Sequence, residues 1–319
     1  MNENFSIKFW GVRGSHPTPG PQTVYFGGNT ACVEVRAGGQ TIILDAGTGI
    51  IPLGREIARR CAREHDNSQP VLLFSHLHHD HTQGFPFFAP AYNPAMRLHL
   101  FGPGTSGNSL QKTLSRNQAQ PVYPITLREM SAVKSFHTLK GTEHIGFDAG
   151  LPKMGSPAQG GGLLIQVMKS YAHPGGVFIY RIEWRGISLV YATDTEGYVG
   201  SDQRLAAFAR DADLLIHDAQ YSPADYALRQ GFGHSTAKMA CELARTAGVK
   251  RLALFHHDPA YDDETVQDLQ EQAQADFSGS FAAREGQVLE LSAEKNLASR
   301  PEQHAREQNA LSGQFHKPA

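Results

Sequence analysis

Residues 71–84, Val71-Leu72-Leu73-Phe74-Ser75-His76-Leu77-His78-His79-Asp80-His81-Thr82-Gln83-Gly84, decide how this chain is read. Val71–Phe74 is an uninterrupted apolar run preceded by Pro70, the pattern of a strand buried on both faces. His76 follows two residues later, where such a strand would end. The H-x-H-x-D-H string from His76 to His81 then places imidazoles and a carboxylate within one short segment. Neutral imidazole and carboxylate are suitable ligands for zinc and similar divalent ions. One ion rarely takes four donors from so short a segment, because the side chains diverge. Two ions sharing it is the natural arrangement, with His76 and His78 serving one and Asp80 and His81 the other. His79 is the spacer and is expected to point away. The bland alternative is a solvated histidine-rich loop. Such a loop has no reason to follow a buried strand and to precede Thr82-Gln83-Gly84, which reads as a helix start.

Two ions need further ligands, and candidates stand at other strand ends. His173 precedes Pro174-Gly175-Gly176 and a strand at Val177. Asp194 follows the run Ile187–Thr193 and could bridge both ions. His256 follows Leu252–Phe255, with His257 as its competitor. Singly, His173 reads as a turn residue, Asp194 as a turn cap and either terminal histidine as a surface group. Their shared placement after apolar strands favours the ligand reading. His217 and Asp218 end a further strand and are expected to support ligands or structure.

The remaining pattern mixes strands and helices in two similar halves. Phe5–Val12, Ala31–Ala37 and Thr41–Leu44 read as strands, and Leu53, Ile57 and Cys61 as a helix face. Residues 102–121 are polar, with a short helix around Leu110–Leu114, and the glycine-rich stretch 146–162 reads as a loop. Leu163–Lys169, Val177–Trp184 and Ile187–Ala192 read as strands, with Arg185-Gly186 as a tight turn. Leu214–Ile216 is a short buried strand, and helices start near Ser235 and at Asp262-Asp263. The spacing is that of an α/β chain. Two packed sheets with helices outside would house it, and periodicity alone does not separate that from a doubly wound sheet. One domain is expected over 1–293, and 294–319 reads as a mobile polar tail.

Composition narrows the functions. A formal charge of −2 over 319 residues provides no strong basic field for holding a long nucleic acid. Cys32, Cys61 and Cys241 are odd in number and far apart, which argues against a disulfide framework and fits a reducing, cytoplasmic compartment. No run approaches the ~18 apolar residues of a membrane span, and the first residues lack a secretory pattern.

Together these motifs make the chain resemble the metallo-β-lactamase-fold hydrolases, and within them the phosphodiesterase branch that includes ribonuclease Z. The resemblance rests on Phe9-Trp10-Gly11 with Gly14-Ser15, Leu44-Asp45-Ala46-Gly47, Ser75–His81, Ala172-His173, Tyr180-Arg181-Ile182-Glu183, Thr193-Asp194-Thr195, His217-Asp218-Ala219, Gly233-His234-Ser235-Thr236 and Phe255-His256-His257-Asp258. It implies a four-layer αββα sandwich, with two mixed sheets inside and helices outside. It implies that His76, His78 and His173 hold one metal, that Asp80, His81 and His256 hold the other, and that Asp194 bridges. Asp45, and by its position His217, would support ligands from behind. His234 would assist the leaving group, and Asp80 and His234 are the expected catalytic pair. Two divalent ions per chain are implied, zinc first, with manganese or iron also suited. The expected chemistry is attack of a metal-bridging hydroxide on a phosphodiester.

The expected substrate is a small phosphodiester: a cyclic nucleotide, a related cyclic phosphate or a short oligonucleotide. No Lys/Arg-rich projecting hairpin lies between His81 and His173 to grip a tRNA body, so tRNA 3′-processing ranks second. Phe85, Phe87, Phe88 and Tyr92 could wall a base-stacking pocket, although such aromatics are more often core. A lactone or thioester hydrolase on the same scaffold, and a non-enzymatic metal-stabilised ligand sensor, are the other readings. No membrane partner is expected, and relatives in this branch are often homodimers.

Overall fold

The first strand, β1 (Phe5–Gly11), alternates buried and half-buried residues along its length, as a sheet with one face in a core requires. The computed structural model describes residues 4–64, 69–104, 107–155, 162–197 and 201–292. The proposed tail at 294–319 lies outside them. After β1 come β2 (Cys32–Ala37), β3 (Gln40–Leu44), α1 (Ile50–Glu64), β4 (Val71–Leu73), α2 (His79–Thr82), β5 (Arg97–Pro103), α3 (Leu110–Asn117), β6 (Val133–Leu139), β7 (His144–Asp148) and β8 (Leu151–Met154). The second half holds β9 (Leu164–Ser170), β10 (Val177–Trp184), β11 (Ile187–Ala192), α4 (Gln203–Phe208), β12 (Leu214–Asp218), α5 (Pro223–Leu228), α6 (Ala237–Ala247), β13 (Leu252–Phe255), α7 (Asp263–Asp276), β14 (Ser280–Ala282) and β15 (Val288–Leu291).

The strands form a seven-stranded sheet, β15-β1-β2-β3-β4-β5-β6, and an eight-stranded sheet, β14-β13-β12-β11-β10-β9-β7-β8. Phe5, Ile7, Val33 and Phe101 of the first sheet meet Tyr180, Leu189, Tyr191 and Phe255 of the second in one buried layer. On the outer face of the first sheet, Ile43, Leu72 and Leu100 pack with Ile50, Leu53 and Ile57 of α1 and Leu110 and Leu114 of α3. On the outer face of the second, Ile179, Val190 and Leu215 pack with Leu205 of α4 and Ala240, Leu243 and Ala244 of α6. The expected αββα sandwich is therefore the observed one. β4 shows why its sequence is wholly apolar: Val71 and Leu73 face the inter-sheet core while Leu72 faces α1.

Strand direction builds the site. β3, β4 and β5 run parallel, as do β11, β12 and β13. Parallel strands bring their carboxyl ends to one edge, where a crevice can form. Asp45 leaves β3, Ser75 and His76 follow β4, Asp194 follows β11, Asp218 ends β12, and His256 leaves β13.

Local signals explain most boundaries. Arg185 (φ 50°) and Gly186 (φ 78°) make the two-residue turn between β10 and β11. Thr236 caps α6 by accepting from Met239 N, and Asp262 caps α7 by accepting from Thr265 N. Two expectations are corrected. The helix after the histidine string begins at His79 and ends at Thr82, so Thr82-Gln83-Gly84 closes it. The stretch read as a loop from 146 contains β7 and β8, joined through Ala149 (φ 47°) and Gly150 (φ 81°). One of its glycines, Gly150, forms the hairpin turn with Ala149, and composition alone reads it as loop. Among the described residues, no helix is long and apolar enough to cross a membrane.

Gly84 is fixed by crowding: a Cβ there would lie 2.1 Å from the Gly47 carbonyl oxygen. Gly84→Ala is expected to lose about 1–3 kcal/mol of stability in chemical denaturation, because the obstacle is backbone.

Candidate metal centre

The structure brings the separated candidates together at this edge. His76, His78 and His173 place a ligand atom each within 4.8 Å of one another, and Asp80, His81, Asp194 and His256 form a second such group. Asp194 joins them. Its Oδ1 lies 3.7 Å from His76 Nε2 and 3.9 Å from His173 Nε2, and its Oδ2 lies 3.1 Å from His81 Nε2 and 3.3 Å from His256 Nε2. Asp80 Oδ2 is 3.3 Å from His81 Nε2 and 3.2 Å from His256 Nε2. His79 is exposed and belongs to neither group. His257 turns to the Ala283 carbonyl at 2.9 Å, which leaves His256 in the cluster.

The outward nitrogens of these rings show what the inward ones offer. His81 Nδ1–H donates to Asp45 Oδ2 (2.8 Å), His173 Nδ1–H to the Gly233 carbonyl (3.1 Å) and His256 Nδ1–H to Gln220 Oε1 (3.0 Å). Ser75 Oγ–H donates to Asp45 Oδ2 (2.7 Å), so it receives His76 Nδ1–H (3.1 Å) on its lone pair. Each of these partners is an acceptor, so in the neutral ring that a metal needs the proton sits on Nδ1 and Nε2 is left as a lone pair. Against burial, the carboxylates of Asp194, Asp80 and Asp45 raise His81 well above the usual imidazole range, so that ring sheds a proton when a cation takes the proton's place. Four Nε2 lone pairs and two carboxylates thus converge in a buried space. His76 Nε2 is buried and has no hydrogen-bond partner. Apart from the Ser15 amide on Asp80 and the Thr193 hydroxyl on Asp194, this buried set has more acceptors than donors, which is costly, and divalent cations are what it fits.

Charge follows the same logic. Burial alone would raise Asp194; the imidazoles of His256, His81 and His76 outweigh it and hold its carboxyl well below the usual range. Asp80 is likewise held low against burial, chiefly by His81. Burial and the neighbouring His81 push His76 down, toward the neutral ring a metal needs.

Three site residues are held in left-handed backbone: Asp45 (φ 60°), Asp194 (φ 52°) and His256 (φ 64°). For non-glycine residues this conformation costs on the order of 1–3 kcal/mol each. It turns each side chain sharply off its strand end.

His234 and Asp218 form the adjoining pair. His234 Nδ1–H donates to Asp218 Oδ2 (2.8 Å), and Asp218 Oδ1 accepts the Ser235 amide (2.8 Å). The ring of His234 stacks on His256, with centroids 5.0 Å apart. Burial would lower His234, but Asp218, Asp194 and Asp80 outweigh it and raise it to about 9. His217 lies one residue before Asp218, and adjacent strand residues face opposite ways. Its ring contacts the Asp218 carbonyl and Thr195 Oγ1, so the proposed ligand-supporting role passes to Asp218. The aromatic set also divides. Phe85 and Phe88 are core, Tyr92 packs against that core, and Phe87 is exposed beside Tyr123.

Residues given no role from the sequence complete the support. Tyr191 donates to Asp45 Oδ2 (2.8 Å) from the opposite sheet, and the Ser15 amide donates to Asp80 Oδ2 (2.8 Å). Asp45 therefore holds His81, Ser75 and Tyr191 together. Asp45→Asn is expected to weaken metal affinity about 10–100-fold in a chelator competition titration. An unchanged affinity would separate Asp45 from the site.

Comparison with known proteins agrees with this geometry. The beta-lactamase superfamily domain matches residues 40–257. Ribonuclease Z of Picrophilus torridus is 27% identical, over 92% of this chain and 98% of its own length. Ribonuclease Z of Thermococcus gammatolerans is 30% identical, over 72% of this chain and 78% of its own. The metallo-beta-lactamase fold protein YhfI from Bacillus subtilis superposes with a TM-score of 0.63 at 19% identity, covering 91% of this chain and all of that one. The chain belongs to the beta-lactamase superfamily, as a metal-dependent hydrolase related to ribonuclease Z.

Proposed function

We propose that the protein is a dinuclear phosphodiesterase acting on a small phosphodiester, such as a cyclic nucleotide, a related cyclic phosphate or a short oligonucleotide. The observation that carries this reading is the His234–Asp218 pair beside the two ligand groups. In it, His76, His78 and His173 would hold one ion, Asp80, His81 and His256 would hold the other, and Asp194 stands where it could serve both. Zinc suits these nitrogen and oxygen donors, as do manganese and iron. Two bound ions would supply Lewis acidity, activating water and neutralising charge on the phosphoryl oxygens.

The protein's own groups do the rest. His234 has Nδ1 committed to Asp218, so Nε2 is the atom that delivers a proton to the departing oxygen. Asp80, steadied by the Ser15 amide, orients the attacking water as well as binding metal. A cavity of about 480 Å³ opens beside His173, lined also by Tyr171, Gly175, Glu196 and Gly231, and is sized for a small substrate.

The relatives named ribonuclease Z favour one second reading, tRNA 3′-processing. Against it stand the near-neutral charge and the β7–β8 hairpin, in which Lys153 is the one Lys or Arg and the charge of Asp148 offsets it. His173 and Asp194 are joined by β10 and β11 through a two-residue turn, which leaves no room for a gripping arm there. None of the three cysteines forms a disulfide, in keeping with a reducing, cytoplasmic setting.

The metal-loaded protein is expected to hydrolyse bis-p-nitrophenyl phosphate and at least one member of a cyclic-nucleotide panel, and to leave precursor tRNA intact. No turnover of any diester would sink the proposal, and efficient precursor cleavage would move it to the second reading. His234→Ala is expected to lower kcat about 10²–10⁴-fold on a substrate with an alkoxide leaving group. A His234→Ala variant with full activity on a lactone would favour a lactone hydrolase instead.

A further inference from the structure

We infer that Glu196 is a positioning residue, whose carboxylate clamps the loop carrying His234 and so sets the aim of that ring. The inference rests on the reading of His234 as proton donor. Glu196 stands two residues after Asp194, and its own amide donates to the Ala172 carbonyl at 3.0 Å. Its Oε1 accepts from Tyr226 OH (3.0 Å) and from the Gly231 amide (2.8 Å), and its Oε2 accepts from the Gly233 amide (3.0 Å). The Glu196 amide thereby ties in the segment before His173, while the Glu196 carboxylate ties the segment after Asp194 to the one before His234.

The loop's other ties are local: the Phe232 amide donates to the Arg229 carbonyl (3.2 Å), and Arg229 pairs with Asp225 (2.8 Å). Leu228 and Phe232 are 83% and 59% exposed, so its apolar side chains do not anchor it in a core. Hydrogen bonds to an ionised acceptor are the strong kind, and here two of the three come from backbone amides that fix the path of the chain. That path is tight. Gly233 lies at φ 91°, and a Cβ on it would sit 2.3 Å from His173 Nδ1. The Gly233 carbonyl receives the His173 Nδ1–H, and the next residue is His234. Asp218 holds the His234 ring and the Ser235 amide from one side. Glu196 holds the chain entering His234 from the other. No hydrogen bond joins the Glu196 carboxylate to the rings at the centre, so its effect runs through the loop.

A displaced proton donor harms poor leaving groups and spares good ones. The test compares Glu196→Gln, which keeps volume and one acceptor oxygen, with Glu196→Ala and His234→Ala. Each is assayed on a diester that expels p-nitrophenolate and on one that expels an alkoxide, with metal content and unfolding midpoint measured in parallel. Glu196→Gln is expected to lower kcat by about 10-fold or more on the alkoxide substrate, given how strongly misplacement costs rate. On the p-nitrophenyl ester the loss in kcat should stay within about 3-fold, with metal content equal to the parent and Glu196→Ala more severe. Because Glu196 also lines the cavity beside His173, the comparison between the two substrates is made on kcat and not on KM. Equal losses on both substrates, or a fall in metal content that accounts for them, would overturn the role of Glu196. His234→Ala separates the two ideas. If it discriminates between leaving groups and Glu196→Gln does not, only the clamp fails. If His234→Ala itself does not discriminate, the proton-donor reading fails and the clamp with it.

Discussion

The structure depends on a conflict that its own side chains do not resolve: buried acceptors converge where there are too few protons to share. His81, His173 and His256 each commit Nδ1 to an outer acceptor, and His76 leans on Ser75 in the same way. The inward nitrogens then face one another and the carboxylates of Asp80 and Asp194. His81 Nε2 and His256 Nε2 stand only 3.3 Å apart. In water such a set would disperse or pick up protons. Here the sandwich holds it in place, and two cations would convert the conflict into the tightest contacts in the molecule.

Holding the set is the work of the strand ends. Parallel pairing on both sheets aligns the carboxyl ends of β3, β4, β11, β12 and β13. Left-handed backbone at Asp45, Asp194 and His256 turns those side chains into the crevice. Tyr191 reaches Asp45 across the inter-sheet core, so the two sheets share responsibility for His81. The inter-sheet packing around Phe9, Tyr191 and Phe255 is therefore part of the site's rigidity as well as of the fold's stability.

What was legible in the sequence was whatever has a local signature. The β4 run and the string after it are contiguous, and caps such as Thr236 and Asp262 announce helices directly. His173, Asp194 and His256 could be found because each follows an apolar strand. The hairpin of β7 and β8 was hidden because Gly150, which turns the chain between them, stands among glycines that look like loop composition. His217 and Asp218 were read together as supporting residues, because a strand end gives no indication of which neighbour faces inward until its pairing is known; it is Asp218 that meets His234. Ser15 was marked only as part of a matching motif, without its contact to Asp80. Tyr191, Gln220 and Glu196 were out of reach. Each acts from a distant part of the chain, and nothing in its immediate neighbours marks it.

The central claim is that one chain holds two ions at this edge. Anomalous diffraction from crystals of the metal-loaded protein tests it most directly. The account predicts two peaks about 3.5–4 Å apart, one beside His76, His78 and His173, the other beside Asp80, His81 and His256, with Asp194 touching both. A single peak, or peaks away from these seven side chains, would contradict it.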